Sequence, residues 1–266
     1  MPYPLSVGIS TATLYPELTE NAVKWLTENH VSTIEIFFNT LSELSPAFLK
    51  EIKNMLRAGG VRVCSIHPFS SFAESFMFFT AYERRFRDIL DLYKRYYFTA
   101  MQELGAEILV FHGDSIKNDH PAERYFERFA ALYMAGKEAG ITVAQENVCY
   151  CKSGSPDFIR SMRAAFSNQV QFVLDTKQAV RFGVSPSEMV DAMGNCIAHI
   201  HLSDHTPDQD CLPPGQGCMD FQSFFSKLRQ IEYHGSLMIE LYRQNYREYT
   251  ELLDSLYFVE QQLQSL

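Results

Sequence analysis

The sequence predicts an α/β fold, a single (β/α)8 barrel over residues 1–266 with its active site at the C-terminal ends of the strands. Three observations predict it. The length of 266 residues matches the roughly 250 that such a barrel takes. Eight short apolar runs alternate with amphipathic ones, as parallel strands joined by right-handed crossovers require. Residues able to ligate a metal or move a proton recur where the last four of those runs end.

Strands are expected at residues 6–10, 33–38, 61–67, 108–112, 142–148, 170–175, 197–202 and 237–241. Helices are expected at 19–29, 46–58, 122–139, 156–165, 186–193, 221–231 and 246–263, with a much longer one at 82–104 between the third and fourth strands. Ser45-Pro46, Ser155-Pro156 and Ser185-Pro186 each offer a capping hydroxyl followed by proline at the first helical position. Gly59-Gly60, Gly105, Gly140 and Gly235 stand where a helix should give way to a strand, which suits a left-handed C-cap. No linker, low-complexity run or charge block divides the chain, so one domain is expected. The segment at 69–83 carries Phe72, Phe76, Phe78 and Phe79 and fits a lid, a subunit interface or packing beneath the long helix.

Composition excludes several classes. A hydrophobic content of 46% supports a large core, and a net charge of -9 argues against a phosphate-backbone partner, so no nucleic acid is expected. Met1-Pro2-Tyr3-Pro4 leads straight into a strand-like run without a basic-then-apolar leader, and no apolar run reaches membrane-spanning length. A cytoplasmic protein with no membrane partner is expected, and a homo-oligomer is compatible with the sequence. Cys64, Cys149, Cys151, Cys196, Cys211 and Cys218 form no Cys-x-x-Cys pair, so they read as reduced thiols. Cys149-Tyr150-Cys151 follows a strand end and is placed to see a pocket.

The chemistry gathers at strand ends. In Ile197-Ala198-His199-Ile200-His201-Leu202, alternation puts His199 and His201 on one face and Ile200 and Leu202 on the other. The fifth strand ends at Glu146, the sixth at Asp175, the seventh carries His201, and the eighth ends near Glu240. Three carboxylates and an imidazole converging inside a barrel cannot all stay charged without a cation between them. Mixed oxygen and nitrogen ligands suit one divalent metal ion, Mn²⁺, Mg²⁺, Co²⁺ or Zn²⁺.

Glu146-Asn147, Asp175-Thr176-Lys177-Gln178, His199-Ile200-His201-Leu202-Ser203-Asp204 and Glu240-x-Tyr242-Arg243 resemble the xylose isomerase-like TIM barrels of the sugar phosphate isomerase/epimerase superfamily. Pro214-Gly215-Gln216-Gly217 looks like that superfamily's Pro-Gly-x-Gly segment. The resemblance is close in the second half of the chain; the first half shares the strand rhythm and Glu35, His67 and His112 at pocket-lining places. It implies a metal held by Glu146, Asp175, His201 and Glu240, with Glu146 and Glu240 also moving protons on opposite faces of a ketose. The superfamily often has histidine where this chain has Gln178, which can hydrogen-bond a sugar hydroxyl but cannot act as a base.

Glu35, His67, His112, Gln178, Asp204 and Arg243 are therefore the substrate-binding candidates. For Glu35 the alternative is pairing with a neighbouring cation; for His67 and His112, a supporting role behind the ligands. Asp204 could instead orient His201, and Arg243 could bind an anionic group or form a surface ion pair. Asp204, Lys177 and His205 are reserve proton-transfer groups. The function expected is isomerisation or epimerisation of a sugar, keto-cyclitol or sugar phosphate by proton abstraction next to a carbonyl. The alternatives are an inosose-dehydratase-type or 3-keto-sugar lyase, an endonuclease-four-type DNA-repair phosphodiesterase, and a non-catalytic sugar-binding protein.

Overall fold

The computed structural model describes residues 5–266, so Met1-Pro2-Tyr3-Pro4 lies outside the described residues. Strands β1 (Ser6–Ser10), β2 (Thr33–Phe37), β3 (Arg62–His67), β4 (Ile108–Phe111), β5 (Thr142–Glu146), β6 (Gln171–Asp175), β7 (Ile197–Leu202) and β8 (Ser236–Ile239) close in sequence order into a parallel barrel. Helices lie between them, so the chain is a (β/α)8 barrel. Closure leaves no sheet edge unpaired.

The Ser-Pro starts behave as their chemistry requires. Ser45, Ser155 and Ser185 accept from the backbone N–H groups of Phe48, Phe158 and Glu188, with proline in the first turn. Gly60, Gly105 and Gly140 are left-handed, with φ of 66°, 74° and 75°. Gly235 is not. Glu232 takes the positive φ of 55° there, and a Cβ on Gly235 would fall 2.5 Å from the Ala198 carbonyl oxygen. Gly235 is thus needed for close packing at the foot of β8 rather than for a cap.

The long helix at 83–104 is continuous but carries one π-helical turn, Tyr93–Tyr97. That turn brings Tyr93 and Tyr97 inward on one side. Phe78 packs edge-on to both Tyr93 and Phe111, each at 5.2 Å between ring centroids, and Phe79 stacks on Tyr125. The aromatic segment at 69–83 therefore divides: Phe78 and Phe79 belong to the core, while Phe72 and Phe76 face solvent. Fully burying such a side chain contributes about 1.5–3 kcal/mol, so the two inner rings anchor the segment firmly.

A helix that the periodicity did not show, Thr176–Phe182, follows β6 directly. Asp175 caps it through Oδ1, which accepts from Gln178 N at 2.9 Å, and Gly183 ends it at φ 87°. Register shifts between Ile34 and Glu35 of β2 and between Phe172 and Val173 of β6 place Glu35 beside Ser65 and Asp175 beside His201. Those two alignments set the layer beneath the cavity at the barrel mouth. No helix among the described residues is long and apolar enough to cross a membrane.

Candidate active site

Glu146 and Asp175 end β5 and β6, His201 lies in β7, and Glu240 follows β8. One ligand-type atom from each lies within 4.8 Å of the others. His201 Nδ1 stands 3.2 Å from Glu146 Oε1, 3.5 Å from Glu240 Oε2 and 3.9 Å from Asp175 Oδ2. On the other side of the ring, His201 Nε2 lies 3.0 Å from Glu35 Oε2. A carboxylate can only accept, so Nε2 carries a proton toward Glu35, while Nδ1 faces three acidic groups. Burial works against charging the ring, but Glu35, Glu240 and Glu146 hold it well above its ordinary value. That arrangement is repulsive unless a proton or a metal ion stands between them.

The donor set fits a cation. Glu146 Oε2 and Asp175 Oδ2 are buried and make no well-aligned hydrogen bond. Each has a single charged neighbour close by, His112 Nε2 at 2.9 Å and Lys177 Nζ at 3.1 Å, which leaves lone pairs for a cation. Burial, and the neighbouring Glu146 and Glu240, push Asp175 up to about 6 even with Lys177 beside it. Burial also works against ionisation of Glu146 and Glu240. His112 and His201 reverse it for Glu146, and Lys177 and His201 do so for Glu240, so both carboxyls stay below their ordinary value.

Glu35 does not line the cavity. It lies one layer beneath, accepts from Ser10 Oγ at 2.9 Å and Ser65 Oγ at 2.7 Å, and pairs with His199 at 3.3 Å. Its place is behind His201, the carboxylate-behind-histidine arrangement that fixes a ligating ring's tautomer. His199 Nε2 also finds Ser65 Oγ there at 3.1 Å, while its buried Nδ1 makes no hydrogen bond. Burial opposes ionisation of Glu35, but His201 and His199 hold its carboxyl well below the usual range.

His67 and His112 do line the cavity, their Nε2 atoms 2.9 Å apart, with His112 Nε2 also 2.9 Å from Glu146 Oε2. Burial, and then His112, lower His67 to about 4, so it is neutral at pH 7. For His112 burial acts in the same direction, but Glu146 outweighs it and the group sits above its ordinary value. Gln178 also lines the cavity, its side-chain oxygen accepting from Cys149 N at 3.1 Å. Tyr150, between Cys149 and Cys151, reaches the cavity; the two cysteines are not among its walls. All six cysteines are free thiols.

Asp204 and Arg243 are elsewhere. The Asp204 carboxylate accepts from the backbone N–H groups of His205, Gly215, Gly217 and Met219 at 2.8–3.0 Å, so the glycine segment is wrapped around it. A Cβ on Gly217 would come 2.3 Å from Asp204 Oδ1, which explains that glycine. The Arg243 guanidinium donates to the Tyr246 and Arg247 carbonyl oxygens at 2.8 and 2.9 Å and lies over the Tyr246 ring. Neither residue is part of the cavity wall.

Two residues matter more than their sequence context suggests. Lys177, 3% exposed, sits between Glu240 Oε2 at 2.9 Å and Asp175 Oδ2 at 3.1 Å. Burial would lower it, but the two carboxylates hold it well above its ordinary value, so it is an internal cation. The clue was the capping Asp175: a helix starting there turns residue 177 back over the barrel mouth. Glu74, from the segment at 69–83, is fully buried behind His112. It accepts from His112 N and Gly113 N at 2.8 Å each and from Tyr93 Oη at 2.5 Å. Nothing periodic marks it in the sequence.

A profile for the xylose isomerase-like TIM barrel matches residues 23–259. The chain belongs to that family. An uncharacterised protein of Mycobacterium leprae is 23% identical over 96% of both chains. A solved D-tagatose 3-epimerase-like protein superposes with a TM-score of 0.80 at 20% identity, covering 97% of each chain. A 3-keto-D-glucoside 4-epimerase from E. coli gives a TM-score of 0.76 at 16% identity, covering 97% of this chain and 99% of that one. At these identities the likeness shows the shared fold.

Proposed function

We propose that this protein is a divalent-metal-dependent isomerase or epimerase of a sugar or sugar derivative, working by proton transfer at a carbon next to a carbonyl. One observation carries the reading. Glu146 and Glu240 come from β5 and β8, with two strands between them, yet both line one cavity and both hold an oxygen against His201 Nδ1. Two ionised carboxylates approaching a ring from different sides are what proton removal on one face and return on the other needs.

Glu146, Asp175, His201 and Glu240 would hold the cation, with Mn²⁺, Mg²⁺, Co²⁺ and Zn²⁺ all compatible with this donor set. Bound there, it supplies Lewis acidity that polarises a carbonyl and acidifies the neighbouring C–H. Glu35 keeps the His201 ring in one orientation. Lys177 restrains Glu240 and Asp175. Neutral His67 and its partner His112 offer ring nitrogens to sugar hydroxyls, and Phe37 and Phe69 in the wall exclude water. Family membership and the epimerase names of similar structures support this assignment.

The test is solvent exchange. Purified protein with Mn²⁺ should catalyse deuterium uptake from D₂O next to the carbonyl of at least one compound in a panel of ketoses, inososes and 3-keto sugars. A chelator should abolish it. Absence of exchange across the panel with metal bound would overturn the reading, and loss of a hydroxyl instead of epimer formation would move the protein to the lyases.

A further inference from the structure

The cavity has a volume of about 480 Å³ and two unlike ends. Its floor is buried and polar, with Glu146, Glu240, Lys177 and the two histidines. Its mouth is aromatic and wet: Phe72 is 80% exposed, Tyr15 60% and Tyr150 54%. Pockets of about 300–1,000 Å³ hold drug-sized ligands, so the space exceeds the needs of one sugar ring seated on the floor. Its charge is equally informative. Among the described residues Lys177 is the one lysine or arginine in the wall, and it is already pinned between Asp175 and Glu240. Arg243, the residue that might have met an anion, is spent on backbone carbonyls and tyrosine rings outside. A phosphorylated sugar would bring a dianion into a cavity whose wall has no free guanidinium or ammonium to receive it.

We propose that the substrate is an unphosphorylated glycoside whose reacting ring carries a keto group; carbonyl-free glycosides of the same shape serve below as binding probes. Its reacting ring sits at the Glu146–Glu240 floor, and its second ring, aryl or sugar, packs against a subsite made by Phe72, Tyr15 and Tyr150. This rests on the sugar-epimerase reading for the placement of the reacting ring. The subsite itself follows from the exposed rings, whose apolar faces a second ring would cover.

Binding without turnover separates the two. Calorimetry of the metal-loaded protein with phenyl β-D-glucopyranoside, methyl β-D-glucopyranoside and D-glucose 6-phosphate measures the subsite whether or not any exchange reaction is found. The phenyl glycoside should bind at least tenfold tighter than the methyl glycoside, and the phosphate weakest. Phe72→Ala and Tyr150→Ala should each reduce that phenyl-to-methyl ratio severalfold; both side chains are exposed, so folding is not at stake. Equal affinity for the phenyl and methyl glycosides, or tightest binding of the phosphate, overturns the proposal. So does a dimer broken by Phe72→Asp with an unchanged phenyl-to-methyl ratio, which would give the aromatic rim to a second copy of the chain.

Discussion

Glu35 Oε2 lies 3.0 Å from His201 Nε2, and it is this contact that turns the other ring nitrogen, Nδ1, toward Glu146, Asp175 and Glu240. The two residues come from β2 and β7, on different sides of the barrel, and the register shift in β2 that sets Glu35 against Ser65 helps to aim the carboxylate. The orientation of the His201 ring therefore depends on a residue outside the cavity wall.

Replacing it tests that dependence. Glu35→Gln keeps the shape and the serine contacts but lets the His201 ring choose its tautomer. Divalent-ion affinity, measured by calorimetry, should fall about 10–100-fold. Unchanged affinity would mean that His201 is oriented by something else.

Lys177 gives a second prediction. Lys177→Met removes the buried ammonium between Asp175 and Glu240 and leaves their charges uncompensated, at an expected loss of about 3–5 kcal/mol in metal-free protein. Added Mn²⁺ should then raise the melting temperature more than it does in the parent protein, because the metal takes over the neutralising role. An equal or smaller rise would show that Lys177 and the metal do not share these carboxylates.

Burial pushes Glu74 up to about 7 against the pull of His112, Tyr93 and two backbone N–H groups. A carboxyl raised in the fold favours the native state below its ordinary value of 4.5, and that contribution is lost as pH climbs from there through about 7. The stability advantage over Glu74→Gln should accordingly shrink by roughly 2–3 kcal/mol between pH 5 and pH 8 in urea unfolding. A constant difference would mean that Glu74 is ionised throughout.

Asp204 organises a loop. Asp204→Ala leaves four backbone N–H groups without their acceptor, and a loss of about 2–4 kcal/mol with faster proteolysis between residues 205 and 219 is expected. Metal affinity should change little, and a large loss of affinity would return Asp204 to the site.

The strands and the convergence of Glu146, Asp175, His201 and Glu240 were legible because they follow the strongest sequence signals. Parallel barrel strands read as short apolar runs, and an acidic residue closing such a run stands out. All eight strands lie within two residues of their expected ends. What was not legible depends on three-dimensional register or on irregular backbone. Asp175 reaches His201 through a bulge that alternation cannot reveal. Glu74 comes from a segment without period. Glu35 pointed inward as expected, but only the layering of the barrel shows that it ends beneath His201 rather than at substrate. Asp204 and Arg243 lie three residues from His201 and Glu240 in the chain, but their side chains turn to local backbone partners.

The central claim is that Glu146 and Glu240 each serve one face of the substrate. The most direct measurement is position-resolved deuterium exchange in D₂O by Glu146→Gln and Glu240→Gln, with metal occupancy determined on the same samples. Turnover should fall about 10²–10⁴-fold in each variant while metal stays bound, and one-sided exchange should persist without epimer formation. Near-normal epimerisation by both variants with metal bound would contradict the account.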